Sequence, residues 1–233
     1  MQEIFDKYID NSFDSQYQAD FKFHQFELNY KKFFYKSVPL KVLDIGVGRG
    51  EMLSSMKNWG HNYHGIDISP STVEFCKKLD LSCELTDDTE LWLKKNQNQF
   101  EIITCLDVLE HIPKNRLIHF LEAIRNSLSK DGFAIFQVPN LQSPFGYLHH
   151  FNDITHISGF VEHSLNQVLL SAGFNKVLYY GFEELYGKTP KIILKKILRY
   201  FYRKIIRLLR TINANPNPQI LDPVFYAVAY QKI

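Results

Sequence analysis

The chain has 233 residues, of which 45% are hydrophobic and 22% are charged, and this is enough for one domain with a full core. The N-terminus has no basic flank followed by an apolar run, and no apolar stretch approaches the length of a bilayer crossing, so we expect neither an export signal nor a membrane span. The three cysteines are odd in number and lack CxxC spacing, which indicates buried free thiols and a cytoplasmic protein.

Hydrophobic periodicity predicts strands that alternate with helices along most of the chain. The predicted helices cover 13–35, 51–60, 70–79, 114–129, 162–172 and 188–212. The predicted strands cover 41–46, 62–69, 81–86, 100–107, 132–139, 174–181 and 223–233. This alternation predicts an α/β fold with a doubly wound, mainly parallel sheet, whose ligands bind at the carboxyl ends of the strands.

We expect a single domain over residues 1–233. Its predicted parts are an N-terminal helical segment at 1–37, a cofactor-binding core at 38–183, an inserted basic helix at 188–212 and a last strand at 223–233.

The stretch "VLDIGVGRGEML" (42–53) is a buried strand that runs into three glycines at alternate positions and then opens a helix. In a dinucleotide fingerprint the third glycine would stand where this chain has Glu51, and a carboxylate there would repel a pyrophosphate. A cationic cofactor fits better, since Asp44 precedes the turn and Asp67 ends the next strand, where it can accept hydrogen bonds from ribose hydroxyls. The alternative is a tight turn whose glycines are only structural.

The chain resembles the class I S-adenosylmethionine-dependent methyltransferases over residues 38–181. The resemblance rests on five motifs in the family's order: "VLDIGVGRGEML", "GIDISPSTVEFCKK", "LTDDTEL", "FEIITCLDVLEHIP" and "LSKDGFAIFQVPN". It implies a Rossmann-like seven-stranded sheet and S-adenosylmethionine as cofactor, with S-adenosylhomocysteine as product.

The same resemblance implies the cofactor-binding residues. Gly46 and Gly48 would pass beneath the methionine part of the cofactor, and Asp67 would hold the ribose. Asp87, with Asp88 beside it, would meet the adenine amine, and Leu106 would offer its carbonyl to the ammonium group. Asp44 and Ile68 complete the implied set.

Two further stretches bear on the substrate. "LDVLEHIP" (106–113) is similar to the branch that includes quinone-precursor and sugar O-methyltransferases, and "FNDITHISGFVEHSLNQVLLSAGF" (151–174) resembles a segment of methyltransferases of capsule and O-antigen biosynthesis. This implies O-methylation of a sugar hydroxyl in a surface glycan or its phosphorylated or nucleotide-linked precursor. Two alternatives stay open: methylation of a quinone precursor or small phenol, and an inactive cofactor-binding scaffold.

A hydroxyl acceptor gains from a general base, and histidine is the usual one. We expect His156 to be that base, with His111 as the second candidate; for each, the alternative is a histidine that only bonds backbone. Asp107, Glu110 and Asp153 could join these histidines around a divalent ion, but no ligand spacing supports this and we expect no metal. We expect no nucleic-acid partner, since no (N/D)PPY-type motif follows the fourth strand and the chain outside residues 188–210 is acidic.

Nine Lys or Arg residues and no Asp or Glu lie between Lys188 and Arg210, so the rest of the chain carries −7 against a total of +2. Helical periodicity puts Lys196 and Arg199 on one face, together with Arg203, Arg207 and Arg210, and apolar residues on the other. Two interpretations compete. In the favoured one the apolar face packs on the domain and the basic face is solvated; in the other, residues 191–210 lie on an anionic membrane surface, peripheral to its inner face.

Overall fold

The computed structural model describes Asp6 and residues 19–231. The strands are β1 Lys41–Ile45, β2 Asn62–Asp67, β3 Cys83–Leu85, β4 Phe100–Leu106, β5 Leu128–Pro139, β6 Lys176–Gly181 and β7 Val224–Tyr230. They form a seven-stranded sheet in the order β3-β2-β1-β4-β5-β7-β6. β1 to β5 are parallel to one another, and β7 is antiparallel to both β5 and β6. The predicted doubly wound, mainly parallel seven-stranded sheet is confirmed.

Helices cover both faces of this sheet. They are α1 Ala19–Asn29, α2 Glu51–Asn58, α3 Pro70–Lys78, α4 Thr89–Lys95, α5 Lys114–Ser127, α6 Gly146–Phe151, α7 Glu162–Ser171 and α8 Pro190–Ile212, with short 3₁₀ turns at Lys31–Phe33 and Leu109–His111. Ser69 starts α3 by accepting a hydrogen bond from the Thr72 amide, and Pro70 supplies the first helical position, as the sequence predicts.

The core divides into two layers because successive strand residues point to opposite faces of the sheet. In β1, Leu43 and Ile45 pack in the layer that contains α5 and α7, whereas Val42 packs in the layer that contains α1, α2 and α3. All three cysteines are buried and free. Because helices cover both faces of the sheet, we expect a ligand site at the carboxyl ends of its strands.

Several elements depart from the sequence prediction, and the short helix α6 lies in a stretch predicted to be a loop. β5 begins at Leu128 and not at 132, because the turn signal "SKDG" is absorbed as an irregularity in its pairing with β4. The seven-residue helix α4 was not predicted, since it is too short for helical periodicity to show. The predicted beginning of the first helix, 13–18, lies outside the described residues.

The predicted basic helix is confirmed as α8, but its favoured packing is wrong. None of its residues is buried, and ten of its large apolar side chains are exposed, while Arg199 and Arg203 face Asp222. Ion pairs between the arginines of α8 and Asp222 therefore decide which face of the helix packs on the domain. Within the described part of the chain, no helix combines the length and apolar character needed to cross a bilayer.

Candidate active site

A cavity of about 380 Å³ opens at the carboxyl ends of β1, β2 and β4. Four acidic side chains line it, namely Asp44, Glu51, Asp67 and Asp107. Arg116, also in its wall, is paired with Glu90 at 2.7 Å. The cavity wall is thus predominantly acidic, which suits a cationic ligand.

The turn between β1 and α2 is shaped by glycines in the left-handed region, with φ of 75° at Gly46 and 51° at Gly48. A Cβ added to Gly46 would lie 2.4 Å from Val108 Cγ2, so glycine is required there for close packing. At Gly48 an added Cβ would meet only the Glu51 carboxylate, at 4.0 Å, and would occupy cavity space. Gly48 therefore leaves room for a ligand to pass directly over the backbone.

Asp44 is the last but one residue of β1 and is buried. Its carboxylate accepts a hydrogen bond of 2.6 Å from the Thr104 hydroxyl on the neighbouring strand. Burial outweighs this bond and raises the pKa of Asp44 to about 8. At neutral pH the group is therefore largely protonated until a cation approaches it.

Asp67 ends β2, the strand next to β1, and also lines the cavity. Burial raises its pKa to about 6, while backbone amides, including that of Ser69 at 2.8 Å, act to lower it. These amides fix the orientation of the carboxylate. Its remaining acceptor capacity suits a pair of vicinal hydroxyls, as in a ribose.

The other predicted cofactor residues divide into two groups. Ile68 and Leu106 line the cavity. Asp87 and Asp88 are exposed and are not among the lining residues; Asp88 instead caps α4 by accepting from the Leu91 amide at 3.0 Å, and Thr89 lines the cavity in this loop. A contact of Asp87 with adenine stays a prediction.

Asp107 is held in an unusual conformation at the cavity edge, with φ of 55°. It accepts a hydrogen bond of 2.8 Å from Gln137 Nε2, and Gln137 in turn accepts from the buried Tyr30 hydroxyl. This connection ties the N-terminal helical segment to the site. Sequence reasoning missed it, because Tyr30 and Gln137 are far from each other in the chain.

His111 lines the cavity. Its Nδ1 lies 2.8 Å from Thr155 Oγ1, and the Thr155 hydroxyl donates to Asp153 at 2.6 Å. Since that hydroxyl has one proton and gives it to Asp153, Nδ1 donates in the His111–Thr155 bond. The backbone of Asp107 also forms a hydrogen bond with the ring that favours its protonated form. Burial, reinforced by His156, lowers the pKa of His111 to about 4, so the ring is neutral at physiological pH.

His156 is not among the residues that line the cavity. It lies behind His111, with ring centroids 4.6 Å apart, and its Nδ1 is 2.7 Å from the carbonyl oxygen of His150. Its Nε2 is 3.8 Å from the carboxyl of Glu110, a fully buried group whose pKa is raised well above its usual range by burial. The two predicted histidines are thus together, and His111 is the one at the cavity.

The segment that carries these residues is tied to the end of β4. The amides of Ile157 and Ser158 both donate to the Glu110 carbonyl oxygen, at 2.8 and 2.9 Å. Of the five residues considered for a metal, His111, Asp153 and His156 have ligand atoms within 4.8 Å of one another. Thr155 was missed by the sequence analysis, although the Asp-x-Thr spacing "DIT" at 153–155 is a signal for such a local hydrogen bond.

A family model described as "Methyltransferase domain" matches residues 17–179. The ubiquinone biosynthesis O-methyltransferase of Paraburkholderia xenovorans is 30% identical over 104 residues, which are 42% of this chain and 44% of that protein. The protein of the same name from Pseudomonas aeruginosa is 33% identical over 113 residues, or 46% of this chain and 47% of that one. The match thus spans less than half the length of these relatives.

Solved structures share the fold. A SAM-dependent methyltransferase from Archaeoglobus fulgidus superimposes with a TM-score of 0.70 at 20% identity and covers 98% of both chains. A SAM-dependent methyltransferase from Thermotoga maritima, described as a possible histamine N-methyltransferase, gives a TM-score of 0.65 at 15% identity over the full length of both. At these identities the likeness concerns the fold.

The open space over Gly48 generates a first prediction. Gly48→Ala puts a methyl group where the cofactor would cross the backbone, so the dissociation constant of S-adenosylhomocysteine should rise by roughly tenfold or more. Isothermal titration calorimetry measures this.

The matched control is Gly60→Ala. Gly60 has a φ of 81° and open space around its Cβ position, so it carries the same kind of backbone strain away from the cavity. Both variants should lose about 1 kcal/mol of unfolding free energy, and only Gly48→Ala should lose affinity. Equal affinity in the two variants would contradict the assignment.

Proposed function

The chain belongs to the methyltransferase domain family, and we propose that it transfers the methyl group of S-adenosylmethionine to a hydroxyl group of a small acceptor. The observation that carries this proposal is the position of His111 in the cavity wall, where its Nδ1 lies 2.8 Å from the Thr155 hydroxyl that donates to Asp153. A neutral imidazole can take the proton that a hydroxyl loses when it is methylated.

The residues present fit the cofactor. Asp67 would hold the ribose hydroxyls, the Gly46–Gly48 turn would leave room for the methionine part, and Asp44 would balance positive charge. When bound, S-adenosylmethionine supplies a methyl group already activated on a sulfonium. The protein then needs to align the acceptor, exclude water and provide a base.

In the proposed reaction the protein would align the acceptor hydroxyl with the methyl group that the bound cofactor supplies. His111 would accept the proton of that hydroxyl, and the positive charge that develops on the ring would be favoured by Asp153 through the Thr155 hydroxyl. Thr155 and Asp153 are positioning residues in this scheme. His156, packed against His111 and away from the cavity, has the same role, which differs from its predicted role as the base.

The cavity and the base favour an aromatic hydroxyl as acceptor. Phe26, Val108 and Ile112 contribute apolar side chains to the wall of the same cavity. A base whose pKa is as low as that of His111 matches a phenol, with a pKa near 10, better than the much less acidic hydroxyl of a sugar. The two relatives from Paraburkholderia xenovorans and Pseudomonas aeruginosa are named ubiquinone biosynthesis O-methyltransferases, and these names also favour an aromatic acceptor.

A sugar hydroxyl of a surface glycan or its precursor is the second candidate. It is supported by the resemblance of residues 151–174, which contain the Asp153, Thr155 and His156 of the site, to glycan methyltransferases. We propose a cytoplasmic location in either case, because all three cysteines are free and buried.

A second prediction concerns the base. His111→Gln should lower kcat by about a hundredfold or more, with S-adenosylhomocysteine affinity little changed, because the side chain acts on the acceptor proton. Thr155→Val should lower kcat by roughly tenfold, while Thr155→Ser keeps the hydroxyl and should retain the rate. The wild-type rate should be flat from pH 6 to 8 and fall only as pH drops toward the His111 pKa of about 4, where the ring gains a proton.

Three results would overturn this assignment. His156→Gln could abolish turnover while His111→Gln does not, which would make His156 the base. Chelation with EDTA could abolish turnover and magnesium restore it, which would make the His111–Asp153–His156 group a metal site. Equal rates for Thr155→Val and Thr155→Ser would remove the hydroxyl from the mechanism.

A third prediction concerns the acceptor. In a panel of catechols, other phenols, sugar phosphates and sugar nucleotides, kcat/KM should be highest for a phenol, measured as methyl transfer from labelled S-adenosylmethionine. A preference for a sugar would favour the glycan candidate. Tight S-adenosylhomocysteine binding without turnover of any acceptor would favour the scaffold.

A further inference from the structure

Helix α8 lies on the domain through its arginines. Arg199 Nη1 is 3.0 Å from Glu183 Oε1, and Arg203 pairs with Asp222. Arg207 donates to the carbonyl oxygens of Pro218 and Gln219 at 2.9 and 3.0 Å, and Arg210 donates to that of Pro216. The arginine face is therefore occupied by protein.

The opposite face of α8 is apolar and exposed. Ten large apolar or aromatic side chains between Ile193 and Ile212 are 47 to 68% exposed, and no described residue buries any of them. A patch of this kind is rarely left facing water in a monomeric protein, so it indicates an interaction surface.

This surface continues toward the active site. The rings of Tyr202 and Phe145 are 5.7 Å apart, and the segment that follows Phe145 also exposes Phe151 and Ile154, by 78 and 80%. Ile154 directly precedes Thr155, the residue that holds His111. We call the exposed apolar side of α8 (193–212) together with 145–154 the interfacial face.

The charges around the interfacial face select its partner. Lys191, Lys195, Lys196 and Lys204 are exposed on α8, and the helix has no acidic residue. Lys204 Nζ lies 5.5 Å from the centre of the Tyr200 ring, so its stem runs along the apolar face while its charge stays at the edge. An apolar face fringed by lysines is complementary to the acyl chains and headgroups of an anionic bilayer.

A second copy of the chain is a poorer partner. In a twofold dimer the same patch meets itself, so the lysines of α8 would face lysines with no carboxylate of the helix between them. Like charges at such an interface oppose association.

We propose that the interfacial face lies on the surface of an anionic lipid bilayer, with α8 parallel to it and fastened to the domain by its arginines. The segment 145–154 then lies on the lipid directly before Thr155, the residue that bonds to His111, and the acceptor is an amphiphile drawn from the bilayer; this last point rests on the proposed function, whereas the docking does not.

Vesicle sedimentation tests the docking. The wild-type protein should sediment with vesicles of phosphatidylcholine and phosphatidylglycerol at low salt, much less with phosphatidylcholine alone, and less as salt is raised. The variant Leu194→Ser, Phe201→Ser, Leu208→Ser should partition at least roughly tenfold more weakly. Its control replaces three exposed apolar residues elsewhere by serine: Val38, Leu79 and Leu91.

The variant Lys191→Gln, Lys195→Gln, Lys204→Gln should also bind anionic vesicles roughly tenfold more weakly, whereas glutamine at Lys77, Lys94 and Lys95, which are exposed on other helices, should change binding little. Lysines are chosen because the arginines of α8 hold the helix to the domain. Unchanged S-adenosylhomocysteine binding shows that each variant is folded.

Two outcomes would overturn the proposal. The first is no sedimentation of the wild type with anionic vesicles at low salt, or equal sedimentation of the serine variant. The second is a wild-type dimer in analytical ultracentrifugation that the serine variant converts to a monomer, since a second copy would then cover the face. Sedimentation is read without turnover, so the docking and the proposed reaction can fail separately.

Discussion

The burial of two carboxylates at the carboxyl ends of adjacent parallel strands is the constraint on which the site depends. β1 and β2 are neighbouring parallel strands, and their ends place Asp44 and Asp67 in the wall of one cavity. Both groups are removed from water, and burial raises both pKa values. Ionising them is therefore unfavourable until a ligand supplies positive charge or donors. The same arrangement repels a pyrophosphate, which separates this site from a dinucleotide site built on a similar turn.

A second feature is that polar contacts, and not apolar packing, decide where the outer elements lie. The segment after β5 is held over the sheet by two amides that donate to Glu110, and it carries Thr155 to His111. The acidic residues Glu183 and Asp222 turn the arginine face of α8 inward, and its apolar face therefore points outward. Polar contacts thus position both Thr155, which bonds to His111, and the exposed apolar side of α8.

Local signals were sufficient for much of the fold and part of the site. The alternation of short β-branched strands with helices predicted the sheet, and the glycine turn with an acid at the next strand end led to Asp44, Gly48 and Asp67. These residues line one cavity because strand ends of a parallel sheet meet at one edge whatever the loops do, and their binding of a cofactor stays a prediction. The motif "LDVLEHIP" likewise placed Leu106 and His111 at the cavity.

What the sequence could not decide depends on contacts between distant segments. Whether His111 or His156 faces the cavity is set by the path of residues 152–158, and the orientation of α8 is set by Asp222, which follows the helix in the chain. Amphipathic periodicity shows that a helix has two faces, but it does not show which face the domain will bind. The expectation that an apolar face packs on the domain was wrong for α8, because Glu183 and Asp222 offered acidic partners to its arginines.

The central claim is that the cavity binds its cofactor by ionising buried carboxylates. Calorimetric titration of S-adenosylmethionine at pH 7, in buffers with different ionisation enthalpies, counts the protons exchanged. Asp44, with a pKa of about 8 in the free protein, is largely protonated at this pH, and a nearby cation lowers that pKa, so binding should release protons and tighten as pH rises toward 8. Asp44→Asn should abolish most of the release. Proton uptake, or a release that persists in Asp44→Asn, would contradict the account.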